Sequence, residues 1–201
     1  MFIRKASIED SQQIAELLLM AMEDIIYKFI GKKDRQEATR FLFHFVRSKD
    51  NQYSYQNCLV AENNGEIIAA VNSYDGGKLR ELREPIIAYL KANHGMEQIP
   101  NDETQAGEYY IDTLAVDPKF RGAGIGTKIL QCLIGEYVVN QKQTLGLLVE
   151  KDNVPAKKLY LKLGFKEVGT KILVGLYLDH LQIKLLQSHD RETTTAAQRF
   201  F

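Results

Sequence analysis

The sequence has few cysteines and no excess of charge of either sign. Its 201 residues include two cysteines, Cys58 and Cys132, which are too few for a disulfide framework. This favours a reducing compartment, and we expect a cytoplasmic protein. Lysine plus arginine and aspartate plus glutamate number 26 each, so no net field attracts nucleic acid or an anionic membrane. We therefore expect neither as a partner.

Long apolar runs and metal-ligand spacings are also missing. Residues 1–10 lack the apolar stretch that follows the basic start of a secretory signal. The most apolar segment, 14–30, is interrupted by acidic and basic side chains, which makes it unsuited to cross a membrane. The four histidines are scattered, with no two at metal-ligand spacing and no cysteine pair to join them. We expect no metal.

The composition that is present is typical of a globular protein, with 45% hydrophobic and 26% charged residues. A chain of this length forms one ordinary core. We expect a single domain over residues 1–187, with an insertion at about 76–107 that is polar, partly helical around 86–91 and loop-like from 94 to 107. The segment 188–201 has little periodicity, so we expect a flexible tail. A monomer and a homodimer both remain open.

Hydrophobic periodicity predicts a mixed series of helices and strands. In the N-terminal half the expected elements are a strand at 2–5, helices at 14–26 and 34–47 that form a hairpin, and strands at 59–62 and 66–74 joined by Asn63-Asn64-Gly65. In the C-terminal half they are strands at 109–116 and 144–149 around a helix at 129–138, a helix from Pro155 to Gly164, and strands at 171–176 and 181–186. The first two of these strands should be parallel.

A glycine-rich segment lies between the strand at 109–116 and the next helix. Its residues are Arg121, Gly122, Ala123, Gly124, Ile125, Gly126 and Thr127. The glycines let backbone N–H groups converge, and the helix start and Arg121 add positive charge, which together suit a pyrophosphate. The segment lacks the Gly-Lys-Ser/Thr of an ATP loop, and Thr127 stands where a dinucleotide loop has glycine. Taken alone, it is equally consistent with a flexible connection.

A second motif follows at 153–165. Helical spacing puts Tyr160 on one face with Ala156, Leu159 and Leu163, so the tyrosine points toward the sheet, and an isolated tyrosine there is most often a core residue. The order of the two motifs resembles the GCN5-related N-acetyltransferase (GNAT) family. The residues that match its motifs are Arg121, Gly124 and Gly126, then Asn153, Leu159, Tyr160, Gly164 and Phe165. The resemblance is close over 108–165.

The resemblance implies a fold, a co-substrate and several residue roles. The fold is α/β (α+β, mixed), with a twisted, mostly antiparallel sheet whose fourth and fifth strands splay apart to admit acetyl-CoA. The pantetheine arm pairs with the backbone of Leu114, Ala115 and Val116 in the manner of an added strand. In the family, the tyrosine at the position of Tyr160 lies near the thioester sulfur and the asparagine at the position of Asn153 lies near the pantetheine.

The chemistry requires a proton acceptor and a proton donor. A lysine-like amine, with a pKa of about 10.4, must lose a proton before it attacks a thioester. Regular alternation along 108–116 would put Glu108 and Asp112 on the face of Leu114 and Val116, so we expect Glu108 to be the base and Asp112 to be the second choice. Glu108 is equally compatible with a solvated position at the start of a strand. Tyr160, still protonated at neutral pH, suits the donor to the thiolate.

We therefore expect an N-acetyltransferase that uses direct transfer in a ternary complex, since neither cysteine lies in a motif that suggests a covalent intermediate. The alternative is a non-catalytic acetyl-CoA sensor or scaffold. The motifs do not specify the acceptor, which is a primary amine of a small molecule or peptide. Peptide N-termini, lysine side chains, polyamines and aminoglycosides all remain open, as does a longer acyl group.

Overall fold

A single mixed sheet organises the computed structural model of the chain, which describes residues 1–95 and 99–185. Its strands are β1 (Phe2–Lys5), β2 (Cys58–Asn63), β3 (Glu66–Asp75), β4 (Glu108–Val116), β5 (Thr144–Glu150), β6 (Lys166–Leu173) and β7 (Leu176–Ile183). The spatial order is β1-β2-β3-β4-β5-β7-β6. Only β4 and β5 are parallel in this sheet of the described residues, which confirms the predicted mixed fold.

Helices cover both faces of this sheet. They are α1 (Ser11–Ile30), α2 (Arg35–Val46), α3 (Leu79–His94), α4 (Ile125–Leu133) and α5 (Val154–Lys162), and α4 runs on into a π-helical segment, Ile134–Asn140. Two neighbouring residues of β3 show that the sheet separates two hydrophobic cores. Ala70 belongs to the core under α1, α2 and α3, whereas Ala69 belongs to the core under α4 and α5. None of the helices in the described ranges is suited, by length and hydropathy, to spanning a membrane.

The turns expected from sequence join the first hairpins. Asn64 and Gly65 have φ values of 52° and 84°, the left-handed conformations that a tight β2–β3 turn needs. The helical hairpin breaks at Gly31, which is also left-handed with φ of 71°. Asp34 then caps α2 by accepting a hydrogen bond from the Glu37 N–H. Both predicted hairpins are confirmed.

The helix predicted around 86–91 is longer than expected. α3 spans sixteen residues, Leu79–His94, although Pro85 lies inside it. The helical pattern is hard to recognise because few of its residues are buried, mainly Leu79, Arg83, Ile86 and Leu90. Ile86 and Leu90 pack into the core under α1 and α2. The interpretation of 76–107 as an insertion within a single domain stays a prediction.

The final hairpin turns earlier than predicted. Leu176 was expected in the first strand of this pair, but it begins β7, and the turn lies at Val174 and Gly175. Val174 has φ of 43°, a conformation that β-branched residues rarely adopt, so the sequence pattern gives no reason to expect the turn there. The predicted strand end at Leu186 and the predicted tail 188–201 lie outside the described residues.

A β-bulge in β4 changes which side chains share a face. Asn72 of β3 pairs with Thr113, but the next residue, Ser73, pairs with Ile111, so Asp112 is an extra residue in β4. The expected regular alternation from Glu108 to Val116 is therefore wrong. Leu114 and Val116 pack with the α4 core, as Tyr109 and Ile111 do. Glu108 and Tyr110, which precede the bulge, have their side chains on the opposite face.

Candidate active site

The parallel strands β4 and β5 separate and open a cleft. They pair only from Glu108 with Thr144 to Ile111 with Leu147, although β4 continues to Val116 and β5 to Glu150. The cleft has a volume of about 750 Å³. Its walls are the two strand ends, the glycine-rich segment, the start of α5, and residues of α1. The predicted splay of these two strands is confirmed.

The glycine-rich segment forms one wall of the cleft. Gly122 and Gly124 have left-handed φ values of 82° and 75°, and Gly124 is the N-cap of α4. Gly126 lies against Leu114 and Val116, so α4 begins close to the open end of β4. The predicted residues that line the cleft are Arg121, Gly122, Gly124, Ile125, Gly126 and Thr127, while Ala123 is exposed outside this lining. Unpaired first-turn N–H groups and the positive end of a helix therefore face the cleft.

The end of β4 presents an open backbone edge to the cleft. Leu114, Ala115 and Val116 pair with β3 on one side and lose β5 on the other. All three line the cleft. The Val116 carbonyl accepts a hydrogen bond of 3.2 Å from Arg121 Nε, which ties the glycine-rich segment to the strand end.

The second motif supplies the opposite wall. Asn153 caps α5 by accepting a hydrogen bond of 3.3 Å from the Ala156 N–H, and it lines the cleft. Tyr160 lies one to two turns further along α5, edge-to-face with Phe165, and also lines the cleft. Burial raises the pKa of Tyr160 to about 12. The phenol therefore keeps its proton across the neutral range.

Glu108 lies outside the cleft. It is buried, it does not line the cleft, and its carboxylate accepts hydrogen bonds from Thr104 and Gln182 and contacts His180 Nε2 at 2.7 Å. It lies over Gly146, where any Cβ would collide with it. Burial acts to raise the pKa of Glu108, but these hydrogen bonds outweigh burial and lower it. Glu108 ties the strands β4, β5 and β7 together.

Asp112 does reach the cleft, and it belongs to a cluster that sequence patterns did not predict. Gln52 Nε2 lies 2.7 Å from Asp112 Oδ2 and 2.7 Å from Glu103 Oε1. The Tyr74 hydroxyl also lies between the two carboxyl groups, and Arg83 forms an ion pair of 2.7 Å with Glu103. We call Gln52, Tyr74, Arg83, Glu103 and Asp112 the carboxyl cluster. No local signal marks Glu103, because its partners Gln52, Tyr74 and Arg83 come from three other segments of the chain.

Burial distinguishes the two acids of the cluster. Glu103 is 4% exposed, whereas Asp112 is partly exposed at the bulge. Burial, followed by the negative charge of Asp112, raises the pKa of Glu103 to about 7, against the opposing effect of Arg83. The cluster therefore places a carboxyl group that titrates near neutrality at the edge of the cleft.

A second, more open concavity of about 820 Å³ adjoins the cleft. It lies between the end of α1 and the β6–β7 turn, and Glu150 lines both spaces. Lys28 Nζ donates a hydrogen bond of 3.0 Å to the Val174 carbonyl, which holds this turn against α1. The two spaces therefore meet at Glu150.

Neither cysteine lies in the cleft. Cys58 is buried beneath Asn72 in the other core, and burial raises the pKa of its thiol to about 12. Cys132 is exposed on α4. Among residues 1–95 and 99–185, no group of three or more His, Cys, Asp or Glu side chains is arranged to hold a metal ion.

Comparison with known proteins agrees with this geometry. The model of the Acetyltransferase (GNAT) family matches residues 19–165. The chain is 36% identical over 66 residues to a ribosomal protein bS18-alanine N-acetyltransferase of Haemophilus ducreyi. This alignment covers 33% of this chain and 46% of that protein. The chain thus spans less than half the length of that relative. This chain is 29% identical over 181 residues to an N-alpha-acetyltransferase of Sulfurisphaera tokodaii. That alignment covers 88% of this chain and 86% of the relative.

The solved structures include a similar fold over almost the whole chain. The crystal structure of an N-acetyltransferase from Staphylococcus aureus Mu50 superposes with a TM-score of 0.80 at 26% identity. The superposition covers 91% of this chain and 100% of that chain. The similarity therefore includes the strands and helices that surround the cleft.

Proposed function

The chain belongs to the GNAT family of acetyltransferases, and from that premise we propose that it transfers an acetyl group from acetyl-CoA to a primary amine. The observation that carries the proposal is the cleft between β4 and β5. An anion-binding helix start lies at one side of it, and Tyr160 and Asp112 line its interior. Donor and acceptor can therefore meet at one point, so transfer is direct within a ternary complex.

The donor side of the cleft has features that fit CoA. The left-handed glycines Gly122 and Gly124 and the first turn of α4 direct N–H groups to one place, as a pyrophosphate requires. The open edge of Leu114–Val116 offers backbone donors and acceptors to the amide groups of pantetheine. Asn153 stands on the facing wall, where we propose that it contacts the same arm.

Tyr160 is the proposed proton donor. Acetyl-CoA supplies the acetyl group as a thioester and leaves as a thiolate, comparable to a thiol with a pKa of about 8.5. A phenol whose pKa is raised to about 12 is protonated when that thiolate forms, and it lines the cleft on the wall opposite β4. The two cysteines lie outside the cleft, which supports direct transfer without an acyl-cysteine intermediate.

The proposed acceptor is a primary amine of a small molecule or of a peptide. It enters from the concavity between the end of α1 and the β6–β7 turn, which meets the cleft at Glu150. The relative from Haemophilus ducreyi acts, by its name, on an alanine of a ribosomal protein. That activity makes a peptide N-terminus one of the acceptors to test first.

The test is an acceptor screen. Purified protein is incubated with acetyl-CoA and a panel that contains a peptide with an N-terminal alanine, a lysine peptide with a blocked N-terminus, polyamines and aminoglycosides. Free thiol is followed, and the product mass is measured. We expect thiol release that requires one of the amines and a matching acetylated product. Tight binding of acetyl-CoA without turnover on any amine would instead support a sensor.

A further inference from the structure

Two carboxyl groups at the edge of the cleft share the same hydrogen-bond partners. The Tyr74 hydroxyl lies 2.8 Å from Asp112 Oδ2 and 3.0 Å from Glu103 Oε1. A phenol has one proton, so it donates to one of these oxygens and can only accept from the other. Both bonds form together only when one of the two carboxyl groups is protonated. The Gln52 amide has two N–H donors and serves both acids.

The charges around the pair allow it to take up one proton. Arg83 is the cation that contacts Glu103, at 2.7 Å, so two ionised carboxylates leave one uncompensated negative charge. Arg83 also lies 3.9 Å from the exposed Asp102, and the other titratable groups near the pair are the buried phenols of Tyr53, Tyr74 and Tyr110, which are neutral. Burial, followed by the charge of Asp112, raises the pKa of Glu103, so this carboxyl group accepts a proton more readily than an ordinary carboxylate.

The two acids differ in their access to the cleft. Asp112 is the bulged residue directly after Ile111, the last residue of β4 that pairs with β5, so it lies where the strands begin to separate. It is partly exposed there. Glu103 is buried behind it, 4% exposed, with Tyr74 between them. Both acids line the cleft, but a ligand there meets the more exposed Asp112 first, and Tyr74 connects Asp112 to Glu103.

We propose that Asp112, Tyr74 and Glu103 form a proton relay that deprotonates the acceptor amine, an inference that rests on the proposed acetyl transfer. The relay starts from two ionised carboxyl groups, and Asp112 takes one proton from the ammonium nitrogen. Asp112 then passes a proton to the Tyr74 oxygen while Tyr74 passes its own to Glu103. Glu103 ends protonated and Asp112 ionised again. Asp112 is the catalytic residue of this step, and Glu103 acts through it.

The remaining steps complete the balance. The lone pair of the neutral amine forms the N–C bond, the C–S bond breaks, and its electron pair leaves on sulfur. Tyr160 gives its proton to the sulfur, and the second proton lost by the nitrogen restores the Tyr160 hydroxyl. Glu103 returns its proton through the relay to solvent. Each amide formed therefore releases one proton.

The relay supplies a proton acceptor whose pKa is closer to that of the amine than the pKa of an ordinary carboxylate is. A free glutamate has a pKa of about 4.3, far below the value of about 10.4 for a lysine-like ammonium. The pKa of Glu103 is raised to about 7 by burial and by Asp112, so the proton transfer is less unfavourable. The relay therefore helps substrates that are alkylamines, because these bind in the protonated form and must lose a proton. An aromatic amine, neutral at pH 7, has no need of the relay.

The first experiment compares Glu103→Gln with Asp102→Asn as the matched control. Asp102 is the preceding residue, exposed, paired with Arg80 and 3.9 Å from Arg83, so this variant alters the surroundings of Arg83 without removing a group of the relay. With the best alkylamine from the acceptor screen, we expect Glu103→Gln to lower kcat/KM at pH 7 by about 10-fold or more and to change the pH profile. With an aromatic amine we expect little change. A profile of Glu103→Gln that matches Asp102→Asn on both amines overturns the relay.

A double-substitution test shows whether Tyr74 and Glu103 act in one step. Tyr74→Phe removes the bridging hydroxyl and keeps the buried ring. We expect it to cause a loss similar to that of Glu103→Gln, and we expect the double variant to lose no more than either single variant. Losses that multiply would show two independent effects and contradict the relay. Far-UV circular dichroism and acetyl-CoA binding confirm that each variant is folded.

The last measurement needs no acceptor. The side-chain carboxyl carbon of Glu103 is titrated by ¹³C NMR in the wild type and in Asp112→Asn, with a midpoint near 7 expected in the wild type and a lower one in the variant. A wild-type midpoint near the ordinary value of about 4.3 overturns the relay while leaving acetyl transfer in place. A wild type that acetylates no amine overturns the proposed function, and the relay with it.

Discussion

The two sides of the cleft are built in different ways. The donor side, residues 114–127 with the start of α5, consists mainly of backbone: left-handed glycines, a helix start and an unpaired strand edge. The proposed acceptor side is the carboxyl cluster, in which the contacts join side chains that are 20 to 60 residues apart. Backbone binding depends on local geometry, whereas proton transfer depends on burial and on neighbouring charges.

This difference suggests how the fold can keep one donor and vary its acceptors. The donor side allows little change, because a side chain at a left-handed glycine strains the loop itself. The cluster can be altered one residue at a time without disturbing the glycine-rich segment. Substitutions on the two sides should therefore have separable effects, on acetyl-CoA affinity and on the rate of proton transfer.

The largest expected effect comes from Tyr160→Phe, at the point where the two sides meet. Loss of the phenolic proton should lower kcat by roughly 10²-fold or more, while the dissociation constant of acetyl-CoA stays close to that of the wild type. Steady-state kinetics and calorimetric titration measure the two quantities. Tyr89→Phe, which removes a hydroxyl on α3 outside the cleft, is the control. Undiminished turnover would remove Tyr160 from the role of proton donor.

Glu108→Gln tests whether the first carboxylate of β4 belongs to either side. Its carboxylate accepts hydrogen bonds inside the sheet, so we expect a loss of about 1–3 kcal/mol in the free energy of unfolding, measured by urea denaturation. Glu167→Gln, which breaks an exposed pair with Lys157, should cost no more than about 1 kcal/mol. A large loss of kcat at unchanged stability would place Glu108 in the catalytic step.

Gly124→Ala addresses the donor side alone. A Cβ at φ of 75° costs about 1–2 kcal/mol, and the free loop relaxes to avoid that strain. Binding must restore the strained shape, so we expect acetyl-CoA to bind about 5- to 30-fold more weakly. Gly135→Ala in the π-helical segment is the matched control, since its φ is not positive and its added Cβ meets nothing within 4 Å. Equal affinities in both variants would show that the loop geometry does not determine donor binding.

The last predicted effect is a gradual slope in stability with pH. Because the folded state raises the pKa of Glu103 to about 7, folded protein holds a proton that unfolded protein releases above about pH 4.3. Stability should therefore fall as pH rises through this window, by at most about 1.4 kcal/mol per pH unit. Thermal melts of the wild type and of Glu103→Gln measure it, and the variant should lack this part of the slope. Identical slopes would contradict the raised pKa.

Much of the fold was predictable from short stretches of sequence. Asn64-Gly65 indicated the β2–β3 turn, and the apolar spacing of α1 and α2 indicated their hairpin. α3 was predicted too short, because its buried residues are few and Pro85 lies inside it. The β6–β7 turn was misplaced because Val174 adopts a conformation that its residue type disfavours. In both places tertiary packing outweighs local preference.

The sequence by itself determined the donor side, since glycine spacing, a helix start and the tyrosine motif are local features that keep their geometry wherever the chain places them. Only the tertiary structure decided the acceptor side. The bulge at Asp112 turned the end of β4 over and left Glu108 in the sheet, and folding brought Glu103 beside Asp112 and Tyr74. A carboxyl pKa depends on the water that is excluded and on the charges nearby, and neither is written in the residue type.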